Sequence, residues 1–282
     1  MKRSILKTAI VVAIGFCMQS CKGTYYQVYD CGYDDDIKMQ DNSLVYENED
    51  CKILYNLWSE DGNVKFAMYN KTDKDIFVNM SQTFFTRNGL ANEYYKGRTY
   101  TEQSFLQTTN QNASANLFAS GIGFWGKNIY MENGSAYGNG SLTKVIRSSS
   151  SSVSVKEKEI VCIPARSFKI FNTYSVNPTW QQTCDNQKDF PKTTYQVGTY
   201  SKDNTPITFK NRIAYGFTKN DVADKHIDNM FWLTNITNYS QKAATEKVKD
   251  ESECYGLFST KSQRVFKIGG PNKFYKMVQY NK

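Results

Sequence analysis

The chain has 282 residues, of which 22% are charged, and it contains five prolines and 17 glycines. This composition excludes a disordered tail and a collagen-like filament. The formal net charge is +8, and the lysines are scattered among acidic residues, so the sequence lacks the basic block typical of nucleic-acid-binding proteins. The aromatic fraction is 15%, and most aromatic residues alternate with polar ones, which favours strands over helices.

The first 20 residues have the pattern of an export signal. Lys2, Arg3 and Lys7 form a positively charged start, and residues 8–18 follow without a single charge. A permanent membrane helix needs about 20 apolar residues, and this run is shorter. We therefore interpret residues 1–20 as a cleaved signal peptide.

Residues 18–21 read Met-Gln-Ser-Cys and resemble the lipobox of bacterial lipoproteins, with an apolar residue three positions before the cysteine and a small residue directly before it. The resemblance implies that Cys21 carries acyl chains such as palmitate and becomes the first mature residue. Cys17 is the competing candidate, but Phe16 is too bulky for the peptidase. The alternative is cleavage by another signal peptidase, with Cys21 left as a thiol.

The residue after the anchor is Lys22 rather than the Asp that retains lipoproteins at the inner membrane. By resemblance to that sorting rule, the predicted location is the outer membrane of the cell envelope. The nearest acidic run, Asp34 to Asp36, lies late for a surface-export signal. Whether the protein faces the periplasm or the cell surface stays open.

The mature chain opens with a series of strand signals spaced about ten residues apart, typical of an antiparallel sheet. The turns between them include Asp61-Gly62 and Asn88-Gly89, which are strong hairpin signals. No helical segment fits between these strands, so parallel α/β units are excluded. The predicted fold is mainly β, an antiparallel immunoglobulin-like β-sandwich over residues 21–175. The strand signals lie at residues 24–29, 52–58, 64–69, 76–80, 84–85, 160–163 and 168–171.

Residues 98–157 interrupt this pattern with Ser, Asn, Thr and Gly, including a serine run at 148–152. We predict a long polar insertion or mobile arm there. Residues 176–282 form a β-rich C-terminal region, in the same domain or a second one, with strand signals at 195–200, 207–209, 213–217, 265–268 and 274–280. Residues 241–251 are rich in Ala, Lys and Glu and predict one short helix.

Three segments carry a family resemblance: residues 21–29 (CKGTYYQVY), 69–79 (YNKTDKDIFVN) and 84–95. Together they resemble uncharacterised lipoproteins of Bacteroides and its relatives, over roughly the first hundred residues. The resemblance implies an envelope lipoprotein of a Gram-negative, gut-type host and no particular activity. Cys21 is the one functional residue that it carries over.

The cysteines leave two hypotheses open. In an oxidising envelope Cys31–Cys51 and Cys162–Cys184 are the sequence-near pairs, with Cys254 left over, while buried free thiols are the equal alternative. None of them forms a CxxC pair, and the chain has one histidine, so a structural zinc site is not predicted.

The sequence carries no catalytic or cofactor signature. His226 is the sole histidine, in a polar segment beside a predicted turn that predicts a solvated surface side chain, and neither a GxSxG nucleophile elbow nor a phosphate-binding glycine loop occurs. The acidic residues fall in predicted turns, and the group Asp34 to Asp36 with Asp41 lacks the spacing of a calcium loop. The sequence thus predicts no enzyme, no metal and no cofactor. The carboxylates weighed for glycosidase chemistry are Asp34, Asp35, Asp36, Asp61, Asp73 and Asp75.

The function predicted from these features is a non-enzymatic binding or structural module of the cell envelope, held on the membrane through Cys21, with a glycan or protein ligand and no nucleic acid. A glycan platform was weighed on five aromatic residues: Tyr94, Tyr95, Tyr100, Trp125 and Trp180. Two alternatives remain. One is a carbohydrate- or peptide-active hydrolase that uses Asp or Glu, and the other is a fimbrial or assembly subunit whose terminal strand, residues 274–280, pairs with a neighbour.

Overall fold

The computed structural model of the chain describes residues 22–104, 109–111, 115–125, 128–138, 142–144, 149–178, 191–219, 224–254 and 257–281. The predicted signal peptide, Cys21 and Cys184 lie outside these residues. The described part is mainly β, built of antiparallel sheets with a curled half-barrel, and its one short helix is α1 (Gln241–Ala244).

The strands of the first half are β1 (Lys22–Tyr33), β2 (Ile37–Gln40), β3 (Ser43–Glu47), β4 (Cys51–Tyr55), β5 (Phe66–Asn70), β6 (Ile76–Asn79), β7 (Phe84–Arg87), β8 (Leu90–Glu93), β9 (Thr99–Ser104), β10 (Thr109–Gln111) and β11 (Ala115–Trp125). Those of the second half are β12 (Asn128–Gly138), β13 (Leu142–Lys144), β14 (Ser149–Lys156), β15 (Ile160–Ile163), β16 (Phe168–Phe171), β17 (Thr194–Thr199), β18 (Thr208–Gly216), β19 (Lys225–Ser240), β20 (Thr245–Cys254), β21 (Leu257–Phe266) and β22 (Lys273–Asn281).

Two sheets form the body of the protein. The nine-stranded sheet runs in the order β15-β6-β18-β19-β1-β22, and in addition β7 pairs with β18, β8 with β7 and β17 with β19. The five-stranded sheet has the order β16-β5-β4-β3-β2. Strand β1, at the N-terminal end of the described residues, lies between two strands of the C-terminal region, because it pairs with β19 on one side and with β22 on the other.

The main core lies between these sheets. In β18, Phe209, Asn211 and Ile213 are buried while the residues between them are exposed or half-buried, so alternate side chains enter the core. Rings pack across the layer, as in the edge-to-face contact of Tyr55 with Phe231, with 5.2 Å between centroids. Each fully buried ring of this kind stabilises the fold by roughly 1.5–3 kcal/mol.

Buried amides fix the register of the core. The Tyr55 hydroxyl donates to Asn229 Oδ1 at 2.8 Å, and the Tyr94 hydroxyl donates to Asn211 Oδ1 at 2.9 Å. Asn211 and Asn229 lie opposite each other on β18 and β19. Since a buried amide without a partner is costly, these bonds favour one alignment of the sheets over a slipped one.

His226 is exposed, as predicted, and lies on β19, the longest strand of the described residues. The predicted strand signals are largely confirmed, with two corrections. Of the predicted helix 241–251, residues 241–244 are helical and the remainder belongs to β20, because those residues pair with β21. The Cys31–Cys51 disulfide is wrong, since both cysteines are free and buried on strands of different sheets. Cys162 is free and exposed.

The described parts of the predicted insertion 98–157 contain strands β9 to β14. The insertion leaves and re-enters the body through the antiparallel pair β9 and β14. Glu157 closes this pair, since its carboxylate accepts from the Arg98 guanidinium at 2.8 Å and from the backbone N–H groups of Lys96 and Arg98.

The outer face of the nine-stranded sheet, which points away from the main core, differs between its two ends. Near the start of β1 it is covered by a second apolar cluster that includes Tyr26, Trp58, Ala244 and Tyr275. Near the start of β19 the same face stays open, and a groove lies there.

Candidate ligand-binding groove

The groove occupies about 670 Å³ on the open part of the outer face. The β7–β8 hairpin forms one wall, and β18 with the start of β19 forms the floor. The lining side chains combine an aromatic ring, hydrogen-bonding groups and cations: Gln82, Phe84, Thr86, Lys210, Arg212 and His226, together with Gly89 and Ala91. Mixtures of this kind bind polar ligands that also present an apolar surface.

Strand register brings these residues together. Phe84 pairs with Arg212, and Thr86 pairs with Lys210, across β7 and β18. His226 pairs with Ala214 across β18 and β19. Because Phe209, Asn211 and Ile213 point into the core, Lys210 and Arg212 must point outward from the same strand. The groove is thus the outward side of the strands that build the core.

The hairpin wall ends in a tight turn at Asn88-Gly89, whose φ angles are 47° and 83°. Two successive positive φ angles match the twist of a two-residue hairpin, and the predicted turn is confirmed. Leu90 follows it and is 70% exposed, which makes it the most exposed large apolar side chain among the described residues. Leu90 pairs with Arg87, whereas the groove-lining Ala91 pairs with Thr86, so the Leu90 side chain lies on the other face of the hairpin and does not line the groove.

The charges of the groove are not balanced. Lys210 Nζ lies 3.2 Å from Asp228 Oδ1, so this cation has a carboxylate partner. Arg212 faces Asp228 in the strand register, yet no ion pair or hydrogen bond joins its guanidinium to any described residue. An exposed guanidinium with five free donors beside an aromatic ring is suited to a planar anion such as a carboxylate.

The polar surface continues along the outer face beyond the groove. The Trp232 ring lies over Gly32, where a Cβ atom would come within 2.6 Å of the indole. Lys202 Nζ lies 4.7 Å from the Trp232 ring centroid and 2.7 Å from Asp34 Oδ1. Gly32 is therefore needed for the ring to lie flat on the sheet. A ligand longer than the groove would meet an aromatic and cationic surface next.

A second polar cluster lies where β3–β4 meets the β18–β19 end. Asp50 Oδ2 accepts from the Tyr215 hydroxyl at 2.9 Å and lies 2.5 Å from Lys225 Nζ. Burial raises the pKa of Tyr215 well above its usual range, and burial likewise raises the pKa of the adjacent Cys51 thiol to about 12. The Tyr215 phenol and the Cys51 thiol are therefore neutral at ordinary pH, and Asp50 joins the two sheets through its contacts with Tyr215 and Lys225.

The carboxylates considered for catalysis lie at three separate turns, and Asp73 and Asp75 share one of them. Asp34 pairs with Lys202, Asp61 with Lys276, and Asp73 with Arg166, each at a different turn. Asp75 accepts from the backbone N–H of Ala165. Across the described residues, no group of three or more His, Cys, Asp or Glu side chains is arranged to hold a metal ion.

Of the five aromatic residues considered for a glycan platform, the structure describes the side chains of Tyr94 and Tyr95. Tyr94 is buried in the main core and Tyr95 is half-buried, so Tyr94 cannot meet a ligand. The side chains of Tyr100 and Trp125, and the whole of Trp180, lie outside the described residues. Sequence reasoning missed Phe84, Lys210, Arg212 and Trp232 as surface residues. The alternation within β18 is the one local signal that could have placed Lys210 and Arg212 together.

No family model, no curated protein and no solved structure matches the chain. Within the described residues, no helix has the length and apolar character needed to cross a bilayer.

Proposed function

We propose that the protein is an outer-membrane lipoprotein that is anchored through Cys21 and binds an anionic ligand, without catalysis, in the groove between the β7–β8 hairpin and β18. The observation that carries the proposal is the guanidinium of Arg212, which is exposed beside Phe84 and has no described partner. We take a carboxylate-bearing polysaccharide as the ligand class, because a sugar offers an apolar ring face, hydroxyls and a planar anion together.

The shape of the site supports binding over catalysis. The groove is shallow and open, and its floor is a sheet face, whereas the carboxylates considered for hydrolysis lie at separate turns. An immunoglobulin-like relationship is part of the same proposal, supported by two antiparallel sheets that share one core. Folds of this kind bind ligands on a sheet face or on loops, and the groove is formed by a sheet face and the turn of the β7–β8 hairpin.

The anchor is tested with Cys21→Ser. We expect this variant to lose labelling by a clickable palmitate analogue, to keep its signal peptide and to accumulate as a precursor, because the thiol that accepts the lipid is absent. Cys17→Ser is the matched control and should mature normally. Incorporation of label by Cys21→Ser, together with fractionation in the outer membrane, would show that the anchor is elsewhere.

The groove is tested by calorimetry with polygalacturonate, with its carboxyl-reduced counterpart and with heparin. We expect polygalacturonate to bind and Arg212→Gln to weaken that binding about tenfold, which corresponds to about 1.4 kcal/mol for one charge-assisted contact. Lys169→Gln, on the exposed edge strand β16 of the other sheet, is the control and should bind as the unmodified protein does. Equal binding of the carboxyl-reduced polymer would contradict the anionic class, and binding of heparin alone would assign sulfate instead. Release of reducing ends from polygalacturonate would establish a hydrolase.

A further inference from the structure

We infer that the domain stands directly on the membrane on the end where β1 begins and β19 ends, so that the groove is held at the far end of the nine-stranded sheet, facing away from the bilayer. The partner surface is a bilayer with anionic headgroups. This inference rests on the lipid anchor of the proposed function. It adds an orientation that anchoring alone does not require.

The first step concerns the length of chain between the lipid and the sheet. One peptide bond joins Cys21 to Lys22, which is about 3.8 Å between Cα atoms. Lys22 is already the first residue of β1 and pairs with Asn281 of β22. Three residues later Tyr25 pairs with Ser240, the last residue of β19. The lipidated residue therefore has no flexible linker, and the end of the sheet must lie against the headgroups.

The second step concerns the position of the groove along the same sheet. Strand β19 has 16 residues. At about 3.3 Å per residue it spans up to roughly 50 Å. Ser240 is its end nearest the anchor, and His226 at the opposite end lines the groove. The length of β19 therefore sets the distance between the end of the sheet at the membrane and the groove.

The third step concerns charge. Near Ser240, the exposed lysines Lys192, Lys242 and Lys267 lie close together, since Ser240 N–H donates to Thr193 O and Lys267 Nζ donates to Lys242 O. Cations at a bilayer surface are attracted to anionic headgroups.

The opposite end carries charges of both signs. Asp34 is paired with Lys202 and Asp50 with Lys225, and the groove there holds Lys210, Arg212 and His226. The short attachment therefore imposes the orientation, and the lysines near Ser240 are the cations that it brings to the headgroups.

The experiment uses the mature chain, residues 21–282, with a diacyl lipid joined to Cys21 by ligation of a lipid thioester. This reaction selects an N-terminal cysteine, so the other cysteines do not interfere, and the result does not depend on lipidation in cells. Hydrogen exchange is compared between vesicle-bound and lipid-free protein, using vesicles with and without phosphatidylglycerol. The matched variant carries ten Gly and Ser residues inserted between Cys21 and Lys22.

We expect several-fold slower exchange on vesicles in peptides that contain residues 191–194, 241–244 and 266–268, more so with phosphatidylglycerol, and unchanged exchange at 84–93. The inserted linker should abolish this protection while the protein stays bound. Protection at 84–93, equal protection with the linker, or no protection in a bound protein would each overturn the orientation. Failure of the proposed anchor shows itself separately, as loss of palmitate labelling in cells.

Discussion

The two ends of the outer face of the nine-stranded sheet belong to the same sheet, yet one end is covered by aromatic side chains and the other is open. Near the start of β1, rings close over the sheet: Tyr26, Trp58, Phe266 and Tyr275 meet edge to face or tilted, at 4.6–5.8 Å between centroids. Near the start of β19, the strands carry Lys210 and Arg212 and nothing described covers them.

The difference is consistent with the proposed function. A sheet face that the chain covers with its own aromatic residues gains stability from burial. An uncovered face needs polar and charged side chains to stay soluble. Such a face has a net charge where its charged side chains lack partners of opposite sign within the chain. The covered end thus stabilises the domain, and the open end is available for a ligand. Four experiments can break or sharpen this contrast.

The largest effect is expected for Tyr275→Ala at the covered end. Tyr275 is fully buried and contacts three other rings, so its removal leaves a cavity that the neighbours cannot fill. We expect a loss of about 3–5 kcal/mol in the free energy of unfolding, measured by urea titration. Phe84→Ala at the open end is the counterpart, and about 1 kcal/mol or less is expected, because its ring lies on a solvated face. Similar losses for the two variants would remove the contrast.

The second effect compares a glycine packed against the main core with a glycine at the open end. Gly62 has φ 66°, and a Cβ atom there would lie 2.8 Å from the Phe274 ring, which is itself stacked on Tyr29. Gly62→Ala combines backbone strain with a clash, and we expect about 2–4 kcal/mol of destabilisation. Gly89 has φ 83° with nothing within 4 Å of a Cβ atom, so Gly89→Ala carries the strain alone, about 1 kcal/mol. Thermal unfolding of both variants measures the difference, and equal shifts would mean that the Phe274 ring moves aside.

These two experiments depend on features that the sequence predicts unequally. Alternation predicts β5 and β6, and the Asn-Gly pair predicts the turn at the groove, because both signals are local. Strand β19 was missed although Ile227, Phe231 and Leu233 alternate, because buried Asn229 stands among them as a polar residue. Asn229 is in the core because Tyr55, on the other sheet, donates to it, and no local pattern contains that partner.

The same reason limits prediction of the groove and of the helix. Phe84 and Arg212 become neighbours through the pairing of β7 with β18, which joins distant parts of the sequence. Residues 245–251 have the composition of a helix, but pairing with β21 overrides intrinsic propensity. Local chemistry therefore predicts strands and turns, while a site on a sheet face depends on which strands pair.

The third experiment tests the carboxylate of Glu157, whose side chain is 14% exposed. Hydrogen bonds from Arg98, and from the backbone N–H groups of Lys96 and Arg98, lower the pKa of Glu157 to about 2. A carboxyl whose pKa is lower in the folded state adds stability above its unfolded pKa, and this stability is lost as pH falls from about 5 to 2. Because Arg98 is 39% exposed, we expect only about 1 kcal/mol.

Glu157→Gln is the control for that experiment. It should lower stability at pH 7 by a similar amount and flatten the pH dependence between about pH 5 and 2, as followed by urea titration at each pH. Hydrogen exchange at the amides of Lys96 and Arg98 reports the same loss locally, at the base of the insertion. An unchanged pH profile in Glu157→Gln would show that other carboxylates account for acid sensitivity.

The smallest effect on stability, and the most telling one for function, is expected for Asp228→Asn in the groove. Asp228 and Lys210 are 44% and 36% exposed, and exposed pairs are worth about 0.2–1 kcal/mol, so the free energy of unfolding should change by less than about 0.5 kcal/mol. Removal of the carboxylate also frees Lys210 beside Arg212, which raises the positive charge of the groove. Binding of polygalacturonate should therefore strengthen and become more sensitive to salt, whereas Asp73→Asn, which removes an exposed pair at a distant turn, should leave binding unchanged. Weaker binding in Asp228→Asn would mean that this carboxylate orients Lys210 for the ligand instead of competing with it.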